Sequence, residues 1–404
     1  MKELWLFTIR FPYGTLESSL EHELPVLCRH FQKVVIFPLL HDEGIRPLPA
    51  NAEVRRVFTD PFKPAGAGTL LKYAGPFRTL WRAVFRSAPS AAVRARHRWT
   101  TISRMRQAIQ RLAVFRREVA PLYDPQRVVL YSSWTLDWAT VLGLWKEVDP
   151  RVHFVTRMRG FDLYHHRVPD HWQVFQAFHL PRIAHLYTTC EAARNYITGR
   201  HPSLAARTSI SPTATDDHGQ GPWEPAPVLR VVSCANMLPI KRVPLIAEAL
   251  VQLQRPVHWT HFGDGEERPQ VEAVLARPGH QVRADLHGRW SNQRIMEWYQ
   301  RTPVDLFVHV STTEGGLSVA LQEAVSFGIP VIGCDTGGVS EIANAHTGLL
   351  LPVDIDAAAL AKAISTLAAA LPDLAGRERI RRYWAERYEA RTVHERFALD
   401  LLTR

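Results

Sequence analysis

A short loop that contains two glycines is the part of the sequence best suited to bind an anion. Residues 304–311 (VDLFVHVS) have the character of a buried strand, and we expect a helix to begin near Ser318. Glycine lets the backbone approach a phosphate closely, and the unpaired N–H groups at a helix N-terminus attract negative charge. The pattern therefore predicts an anion site on the backbone that opens this helix, at Gly315, Gly316, Leu317 and Ser318.

Two carboxylates bracket this loop, Glu314 before the helix and Glu323 within it. A carboxylate beside a diphosphate would repel it, so these groups are better suited to accept hydrogen bonds from sugar hydroxyls. One would hold a donor sugar and the other a ribose. Alternatively, Glu323 is a surface residue of the helix, and Gly315 with Gly316 forms only a turn. The pattern alone leaves both interpretations open.

Strand-like runs that alternate with amphipathic stretches must position this loop. The runs are 4–9, 33–39, 54–58, 127–132, 153–157 and 185–189 in the first half, and 228–234, 257–262, 282–286, 304–310, 330–334 and 348–351 in the second. This alternation predicts an α/β fold with two parallel sheets covered by helices. Two Rossmann-like β/α/β domains would then face each other across a cleft, and such folds bind ligands at the carboxyl ends of their strands.

The length of 404 residues suits two domains, and a passage rich in Pro, Gly and Asp (211–227) is the expected linker. We predict a first domain over residues 1–220, a second over 221–385, and a helical segment over 386–404 that packs back toward the first. No apolar run reaches the roughly 18 to 20 residues of a spanning helix, and no secretory signal is recognisable, so a cytoplasmic protein is expected. The four cysteines lack CxxC spacing and are predicted to be buried apolar residues.

Positive charge is concentrated in residues 61–117, which contain thirteen Lys and Arg and no Asp or Glu, although the whole chain carries only +10. Residues 77–85 (FRTLWRAVF) interleave aromatic side chains and arginines at helical spacing. This favours peripheral contact of residues 72–117 with an anionic membrane, at the inner face of the cytoplasmic membrane. Alternatively, the aromatic residues belong to the core and the arginines form a solvated face, or the segment binds a polyanion. No nucleic-acid-binding motif accompanies the charge, so nucleic acid is not an expected partner.

The stretch 311–351 resembles the signature of a glycosyltransferase family, the retaining GT-B enzymes of family four (glycosyl transferases group 1). The family has a glutamate, a glycine loop, a second glutamate followed by alanine, a Gly-x-Pro-Val strand and a Gly-Gly-x-x-Glu-Ile turn. These parts are here Glu314, Gly315, Gly316, Glu323, Ala324, Gly328, Pro330, Val331, Gly337, Gly338, Glu341 and Ile342. The two glutamates lie one residue further apart than is usual, so the extra glycine leaves the role of Glu314 open.

Residues 234–243 (CANMLPIKRV) resemble the donor loop of the same family. In that loop, Lys241 would neutralise charge on the leaving diphosphate. Asn236, also assigned to the donor, stands where the family usually has an arginine. A second cation is therefore left unassigned.

Two further turns of the second half resemble donor-binding parts of the family. Gly263 and Gly265 match a Gly-Asp-Gly turn, and Arg289 with Trp290 follows the next strand, where the nucleotide base commonly lies. Trp290 either stacks on the base or belongs to the core.

In the first half, residues 11–23 (FPYGTLESSLEHE) resemble the acceptor-side loop, with Gly14 permitting close approach of a ligand and Glu17 beginning a helix. Residues 157–162 (RMRGFD) resemble a motif in which relatives often have histidine before the glycine. Arg159 occupies that position here, and we expect it to contact the transferred sugar or the phosphates.

The resemblance implies transfer of a sugar from a nucleotide diphosphate sugar to a saccharide or lipid-linked acceptor, with retention of configuration and without a metal or other cofactor. Glu314, Lys241 and Arg159 would act by electrostatic stabilisation and positioning. The DxD at 354–356 is interpreted as a helix start rather than a metal site. The alternatives are another GT-B enzyme, such as a sugar-nucleotide epimerase or phosphorylase, and a non-catalytic relative that binds membrane or polyanion.

Overall fold

The computed structural model describes residues 2–14 and 17–404, which form two compact units. The first unit comprises the described residues of Met1–Thr189 together with Ala193–Ser211 and His394–Arg404. The second comprises Cys190–Ala192 and Pro212–Val393. Each unit contains one parallel sheet with helices packed on it. The predicted α/β class with two Rossmann-like sheets is confirmed.

The sheet of the first unit has seven parallel strands in the order β3-β2-β1-β4-β5-β6-β7. They are β1 Glu3–Thr8, β2 Lys33–Pro38, β3 Ala52–Val54, β4 Val128–Ser132, β5 Phe154–Met158, β6 His185–Thr188 and β7 Thr208–Ile210. The central strands are buried on both faces, as a parallel sheet covered by helices requires, so their sequences are nearly continuous apolar runs. Strand β3 precedes the predicted run 54–58 because its residues pair with Val34–Ile36 of β2. Strand β7, at three residues, was too short to be predicted.

The helices of this part of the chain are α1 Ser19–His30, α2 Ala67–Lys72, α3 Ala74–Arg86, α4 Ala91–Glu118, α5 Asp137–Lys146, α6 Gln176–His179 and α7 Glu191–Arg200. Residues 61–117, the basic segment, contain α2, α3 and nearly all of α4. Leu80 and Val84 of α3 are fully buried, whereas Trp81 of the same helix is 38% exposed. Leu71 of α2 and Trp99 of α4 are 80% and 71% exposed. The apolar side chains of the basic segment are thus divided between core and solvent.

The sheet of the second unit has six parallel strands in the order β10-β9-β8-β11-β12-β13. They are β8 Leu229–Cys234, β9 Val257–Phe262, β10 Val282–Leu286, β11 Leu306–His309, β12 Val331–Cys334 and β13 Gly348–Leu351. The remaining helices are α8 Val243–Leu250, α9 Arg268–Leu275, α10 Asn292–Tyr299, α11 Val319–Ser326, α12 Ala357–Ala369, α13 Leu374–Tyr388 and α14 Ala390–Leu402. The Asp356 carboxylate accepts a hydrogen bond from Ala359 N at 2.8 Å and caps α12. Its interpretation as a helix-start residue is confirmed.

The passage 211–227 is packed against the second unit rather than free. Thr215 pairs with Glu389, and its hydroxyl accepts a hydrogen bond from Trp384 Nε1 at 2.9 Å. Trp223 Nε1 donates to the Asp305 carboxylate at 2.8 Å. The second unit therefore begins at Pro212, ahead of the predicted boundary at residue 221.

The C-terminal helical segment is broken at Glu389, where the backbone is extended. The Glu389 carboxylate then accepts hydrogen bonds from Arg391 N and Thr392 N and starts α14. From His394 onward α14 belongs to the first unit, where the Phe397 ring centroid lies 4.3 Å from the Arg157 guanidinium carbon. Arg157 is held there by a buried ion pair with Glu23 at 2.6 Å.

Among residues 2–14 and 17–404, no single helix has the length and apolar composition needed to cross a membrane. Helices α12 and α13, which meet at a bend of 117°, meet both conditions only when taken together.

Candidate functional site

Loops that follow four strands of the second sheet, β8 to β11, carry most of the predicted site residues. The carboxyl ends of parallel strands share one edge of a sheet, and open α/β folds bind ligands at that edge. The predicted residues on these loops are Asn236, Lys241, Gly263, Gly265, Arg289, Glu314, Gly315, Gly316, Leu317 and Ser318. Glu323 lies in α11, the helix that begins at the end of the loop after β11. Gly14 and Arg159 belong to the first unit.

Lys241 and Glu314 form an ion pair, although 73 positions separate them in the chain. Lys241 Nζ donates to Glu314 Oε1 at 2.5 Å, and the same oxygen lies 2.8 Å from Nε2 of His309, the last residue of β11. The side chains of Lys241 and Glu314 are 22% and 13% exposed, whereas that of His309 is 5% exposed. The ion pair is therefore accessible from solvent and rests on a buried imidazole.

The Glu314 carboxyl remains ionised at neutral pH. Burial by itself would raise its pKa, but the hydrogen bond from His309 and the charges of His309 and Lys241 outweigh burial and lower the pKa to about 2. A carboxylate of this kind accepts hydrogen bonds and stabilises positive charge. It does not supply a proton as a general acid.

Arg242 anchors the loop that carries Lys241, a role that was not predicted from the sequence. Its guanidinium donates to the carbonyl oxygens of Val310 at 2.7 Å and Val353 at 2.6 Å, and it lies 3.4 Å from Cys334 Sγ. These three residues are at or just beyond the carboxyl ends of β11, β13 and β12. Arg242 adjoins Lys241 in the chain, yet it is committed to these contacts and is not the second cation that the sequence left unassigned.

Glycines allow the loops of the site to pack backbone against backbone. A Cβ on Gly263 would lie 1.8 Å from Ala235 O, and one on Gly265 would lie 2.5 Å from Met237 O. A Cβ on Gly337 would lie 2.7 Å from Glu314 O. Such distances exclude any side chain without backbone movement. The Gly-Asp-Gly turn therefore supports the Lys241 loop, and the Gly-Gly turn supports the Glu314 loop.

The glycine loop leads into α11 as predicted, with Ser318 at the N-cap position and Val319 as the first helical residue. The Ser318 hydroxyl makes no capping hydrogen bond to the described first turn of this helix. Gly316 O accepts a hydrogen bond from Gly338 N at 3.1 Å, which fixes the loop next to the Gly-Gly turn. The arrangement retains the backbone donors and the positive dipole end that an anion requires.

Glu323 is a buried residue, so its alternative interpretation as a surface helix residue is wrong. Its carboxyl is 7% exposed and accepts a hydrogen bond from Asn292 Nδ2 at 2.6 Å. Burial raises the pKa of Glu323 to about 7, against the opposing effect of the Asn292 hydrogen bond. Asn292, the first residue of α10, was not predicted, because nothing in the sequence relates it to a carboxylate in α11.

Trp290 is half-buried, and two neighbouring side chains already pack against its indole. The His287 ring is stacked on it with centroids 4.5 Å apart, and the Arg294 guanidinium carbon lies 3.6 Å from the same centroid. The neighbouring Arg289 is exposed, and so is Asn236.

Glu17 organises the loop after β1 and does not begin a helix, contrary to prediction. Its φ of +58° is not helical, and α1 begins at Ser19. The Glu17 carboxylate accepts hydrogen bonds from the backbone N–H groups of residues 9, 10 and 11 at 2.8 to 3.2 Å and from Trp134 Nε1 at 3.1 Å. Gly14 adopts a φ of +60°, which favours glycine, and its carbonyl accepts from Arg46 Nε. Thr15 and Leu16, within the predicted loop 11–23, lie outside the described residues.

Arg159 lies on the segment that follows β5, in the first unit. Its guanidinium carbon lies 5.2 Å from the Trp134 ring centroid, and its backbone N–H donates to the Asp162 carboxylate at 2.8 Å. Burial and the charge of Arg157 lower the pKa of Arg159, which remains a cation at neutral pH. Arg159 and Gly14 thus lie on two different loops of the first unit, which follow β5 and β1.

Solved structures of low sequence identity share this fold. Anabaena HepE, determined in complex with UDP, matches with a TM-score of 0.64 at 15% identity over 100% of both chains. Sucrose-phosphate synthase from Thermosynechococcus elongatus matches with a TM-score of 0.66 at 15% identity, over 100% of this chain and 99% of that one. The protein therefore has the α/β fold of the GT-B glycosyltransferases.

Residues 228–370, which include Lys241, Glu314 and Glu323, match the family described as glycosyl transferases group 1. The chain is also 31% identical over 165 residues to the GDP-mannose-dependent alpha-mannosyltransferase of Mycolicibacterium smegmatis. That match covers 40% of this chain and only 40% of the length of the relative. Residues 228–370 are therefore a group 1 glycosyltransferase domain, which supports the predicted enzyme class.

The buried Glu323 should make stability depend on pH. Its pKa is higher in the folded chain, about 7, than in the unfolded chain, so its protonation favours folding. This contribution is complete below about pH 4.5 and is lost as the pH rises through 7. Relative to wild type, Glu323→Gln should therefore gain unfolding free energy between pH 5 and pH 8, by about 3 kcal/mol. Urea denaturation across this range measures the difference.

Glu272→Gln is the matched control, because it makes the same change at a side chain that is 54% exposed on α9 in the folded chain. A Glu323→Gln variant whose stability ran parallel to that of wild type from pH 5 to pH 8 would contradict the assignment.

Proposed function

We propose that the protein is a glycosyltransferase that moves a sugar from a nucleotide diphosphate sugar to a saccharide or lipid-linked acceptor, with retention of configuration and without a metal. The observation that carries this proposal is the ion pair of Lys241 and Glu314, on loops at the carboxyl edge of the second sheet and within the group 1 domain. The second unit would bind the donor, and the first unit would bind the acceptor.

In this proposal, the donor diphosphate occupies the N-terminus of α11 and takes Lys241 away from Glu314. A diphosphate carries more negative charge than one carboxylate, so it competes well for the ammonium group. Glu314 retains its contact with His309 when Lys241 is removed. Its other oxygen is then available to a hydroxyl of the donor sugar.

The nucleotide is proposed to be a uridine or guanosine diphosphate. HepE was solved with UDP, and the mannosyltransferase depends on GDP-mannose. Glu323 is assigned to the ribose hydroxyls, and Arg289 and Asn236, both exposed, to the nucleotide. Because His287 and Arg294 already pack against Trp290, it either moves to meet the base or leaves that contact to other residues.

The proposed chemistry is electrostatic. As the bond between the anomeric carbon and the diphosphate breaks, Lys241 and the backbone amides of α11 stabilise the leaving phosphate. The permanently ionised Glu314 stabilises the positive charge that develops on the sugar, and Arg159 is assigned to the transferred sugar or the phosphates. The acceptor hydroxyl attacks the anomeric carbon from the face that the diphosphate leaves and passes its proton to the leaving phosphate oxygen, so configuration is retained. A metal is not invoked, since Lys241 neutralises the leaving group and Asp356 is used to cap α12.

Lys241→Met should weaken donor binding about 10- to 100-fold, because it removes a charge-assisted contact worth about 1.5 to 3 kcal/mol. Lys362→Met, an exposed lysine of α12, is the matched control. A thermal-shift series with UDP-glucose, GDP-mannose and ADP-glucose measures binding, since a ligand bound by the folded state raises the melting temperature. At least one donor should raise it for wild type and Lys362→Met, and not for Lys241→Met at the same concentration.

The donor assignment would be refuted if none of the three donors raised the melting temperature of wild type, or if a donor raised it equally for Lys241→Met and Lys362→Met. Where a donor binds, release of its nucleoside diphosphate should require a saccharide acceptor. Consumption of the donor without an acceptor would instead favour an epimerase or a phosphorylase.

We also propose that the basic segment contacts anionic lipid at the inner face of the cytoplasmic membrane. Exposed apolar side chains on α2, α3 and α4 (Leu71, Trp81 and Trp99) accompany exposed arginines in a segment without acidic residues. Aromatic and arginine side chains of this kind suit the headgroup region.

Replacing the exposed Arg78, Arg82 and Arg86 with Gln should lower partitioning onto vesicles containing phosphatidylserine about 100-fold at low salt, since each contact is worth about 1 kcal/mol. Co-sedimentation measures this effect. The matched control removes the same charge from exposed arginines of the second unit, Arg277, Arg283 and Arg301. Equal losses in both triple variants, or equal binding to neutral phosphatidylcholine vesicles, would rule out the proposed surface.

A further inference from the structure

A cavity of about 250 Å³ lies in the first unit, at the carboxyl edge of its sheet. Thr135 and Leu136 follow β4, and Phe161 and Asp162 follow β5, and all four line it. The N-terminal half of α4 and the segment 168–179 complete its walls. Its position after β4 and β5 is equivalent to the ligand-binding edge of other open α/β sheets.

The walls of the cavity combine aromatic surfaces with hydrogen-bonding groups. Trp172, Phe175 and Phe161 supply aromatic surface, and Phe161 is 63% exposed. Polar side chains on the walls include His97, Arg104, Gln173 and Gln176. A sugar ring has the matching chemistry, because its C–H faces pack on aromatic rings while its hydroxyls exchange hydrogen bonds around the rim.

We propose that this cavity binds one pyranose ring of a saccharide acceptor; this inference rests on the proposed function. The volume is below the roughly 300 to 1,000 Å³ of pockets for drug-sized ligands, so it suits a single ring rather than an oligosaccharide. An apolar lipid tail fits less well. It would remove the exposed Arg104 from water without offering hydrogen bonds, at a cost of about 1 to 3 kcal/mol.

The segment that forms the outer wall is fixed in place before any ligand binds. Asp170 and His171 adopt φ values of +52° and +53°, which are unfavourable for residues other than glycine. The Asp170 carboxylate accepts a hydrogen bond from Arg96 Nη1 at 2.7 Å and lies 2.5 Å from His97 Nε2, so α4 holds this turn. Backbone strain that is held by an ion pair in this way is typical of binding sites.

Two of the wall side chains are also locked by hydrogen bonds. Trp172 Nε1 donates to Ser87 Oγ at 3.2 Å, which sets the plane of the indole. Gln173 Nε2 donates to the carbonyl oxygens of Phe161 at 2.9 Å and Tyr164 at 3.1 Å, so its carbonyl oxygen is left as an acceptor. A preformed cavity loses little conformational entropy on binding, which favours even a small ligand.

Asp162 connects this cavity to Arg159. One carboxylate oxygen accepts from Arg159 N at 2.8 Å, and the other accepts from Thr135 N at 2.9 Å. The same buried carboxylate therefore fixes the floor of the cavity and the backbone of the residue assigned to the transferred sugar. A ring bound in the cavity would lie beside the segment that carries Arg159.

Saturation-transfer NMR on the full chain tests the cavity with three probes: the methyl α-pyranosides of glucose, mannose and galactose. At least one probe should bind wild type, with affinity reduced at least fivefold in Phe161→Ala/Arg104→Gln, which changes two exposed side chains of the wall. Phe62→Ala is the control, since Phe62 is 56% exposed in the same unit and lies outside the cavity. It should bind the probe as wild type does.

Binding of none of the three glycosides, or equal binding by wild type and the double variant, would overturn the inference. UDP and GDP are titrated into wild-type protein in parallel. If neither nucleotide binds while a glycoside still distinguishes the variants, the proposed function fails and the cavity remains a sugar site. If a nucleotide binds and no glycoside does, only the cavity assignment fails.

Discussion

The contact of backbone with backbone at the carboxyl edge of the second sheet is the constraint on which the candidate site depends. Gly263 and Gly265 leave no room for a side chain against the loop that follows β8, and Gly337 leaves none against the loop that follows β11. Arg242 adds hydrogen bonds to carbonyl oxygens beyond β11 and β13. The loops therefore have little freedom to move apart, and Lys241 meets Glu314 because the fold imposes it.

The ion pair holds the Lys241 ammonium group in the position where a diphosphate donor would need a cation. Lys241 is already ordered by its contact with Glu314, so binding of a donor costs little further side-chain entropy. The ammonium group can then change partner from the carboxylate to the more highly charged diphosphate without a large movement. Glu314 does not become an isolated buried charge when Lys241 leaves, because His309 continues to contact it. Leaving a buried charge without a partner would cost several kcal/mol. The imidazole thus makes the exchange of partners feasible.

The sequence was informative where a feature is local. The strands β9, β10 and β13 have the predicted bounds, because each is followed directly by a residue that does not continue the strand pattern, Gly263, His287 and Pro352. The glycine loop before α11 and the cap at Asp356 are local patterns as well. The two residues of the ion pair were predicted separately, Glu314 from its position beside the glycine loop and Lys241 from a family resemblance, and their contact was not predicted.

Features that depend on distant partners were not predictable in this way. Arg242 looks like an ordinary basic neighbour of Lys241 until its carbonyl acceptors are known, and Glu17 looks like a helix start until its backbone donors are known. Glu323 and Asn292 come from different helices, so no spacing relates them. The break at Glu389 is set by its pairing with Thr215, 174 positions earlier by residue number, rather than by a helix-breaking residue.

The central claim is that the loops around Lys241 and the N-terminus of α11 bind the diphosphate of a nucleotide. Calorimetric titration of the wild-type protein with UDP and UMP, and with GDP and GMP, tests it most directly, since the members of each pair differ only by one phosphate. For the preferred base, the diphosphate should bind at least about 10-fold more tightly than the monophosphate, a difference of about 1.4 kcal/mol. Equal affinities within both pairs would contradict the account.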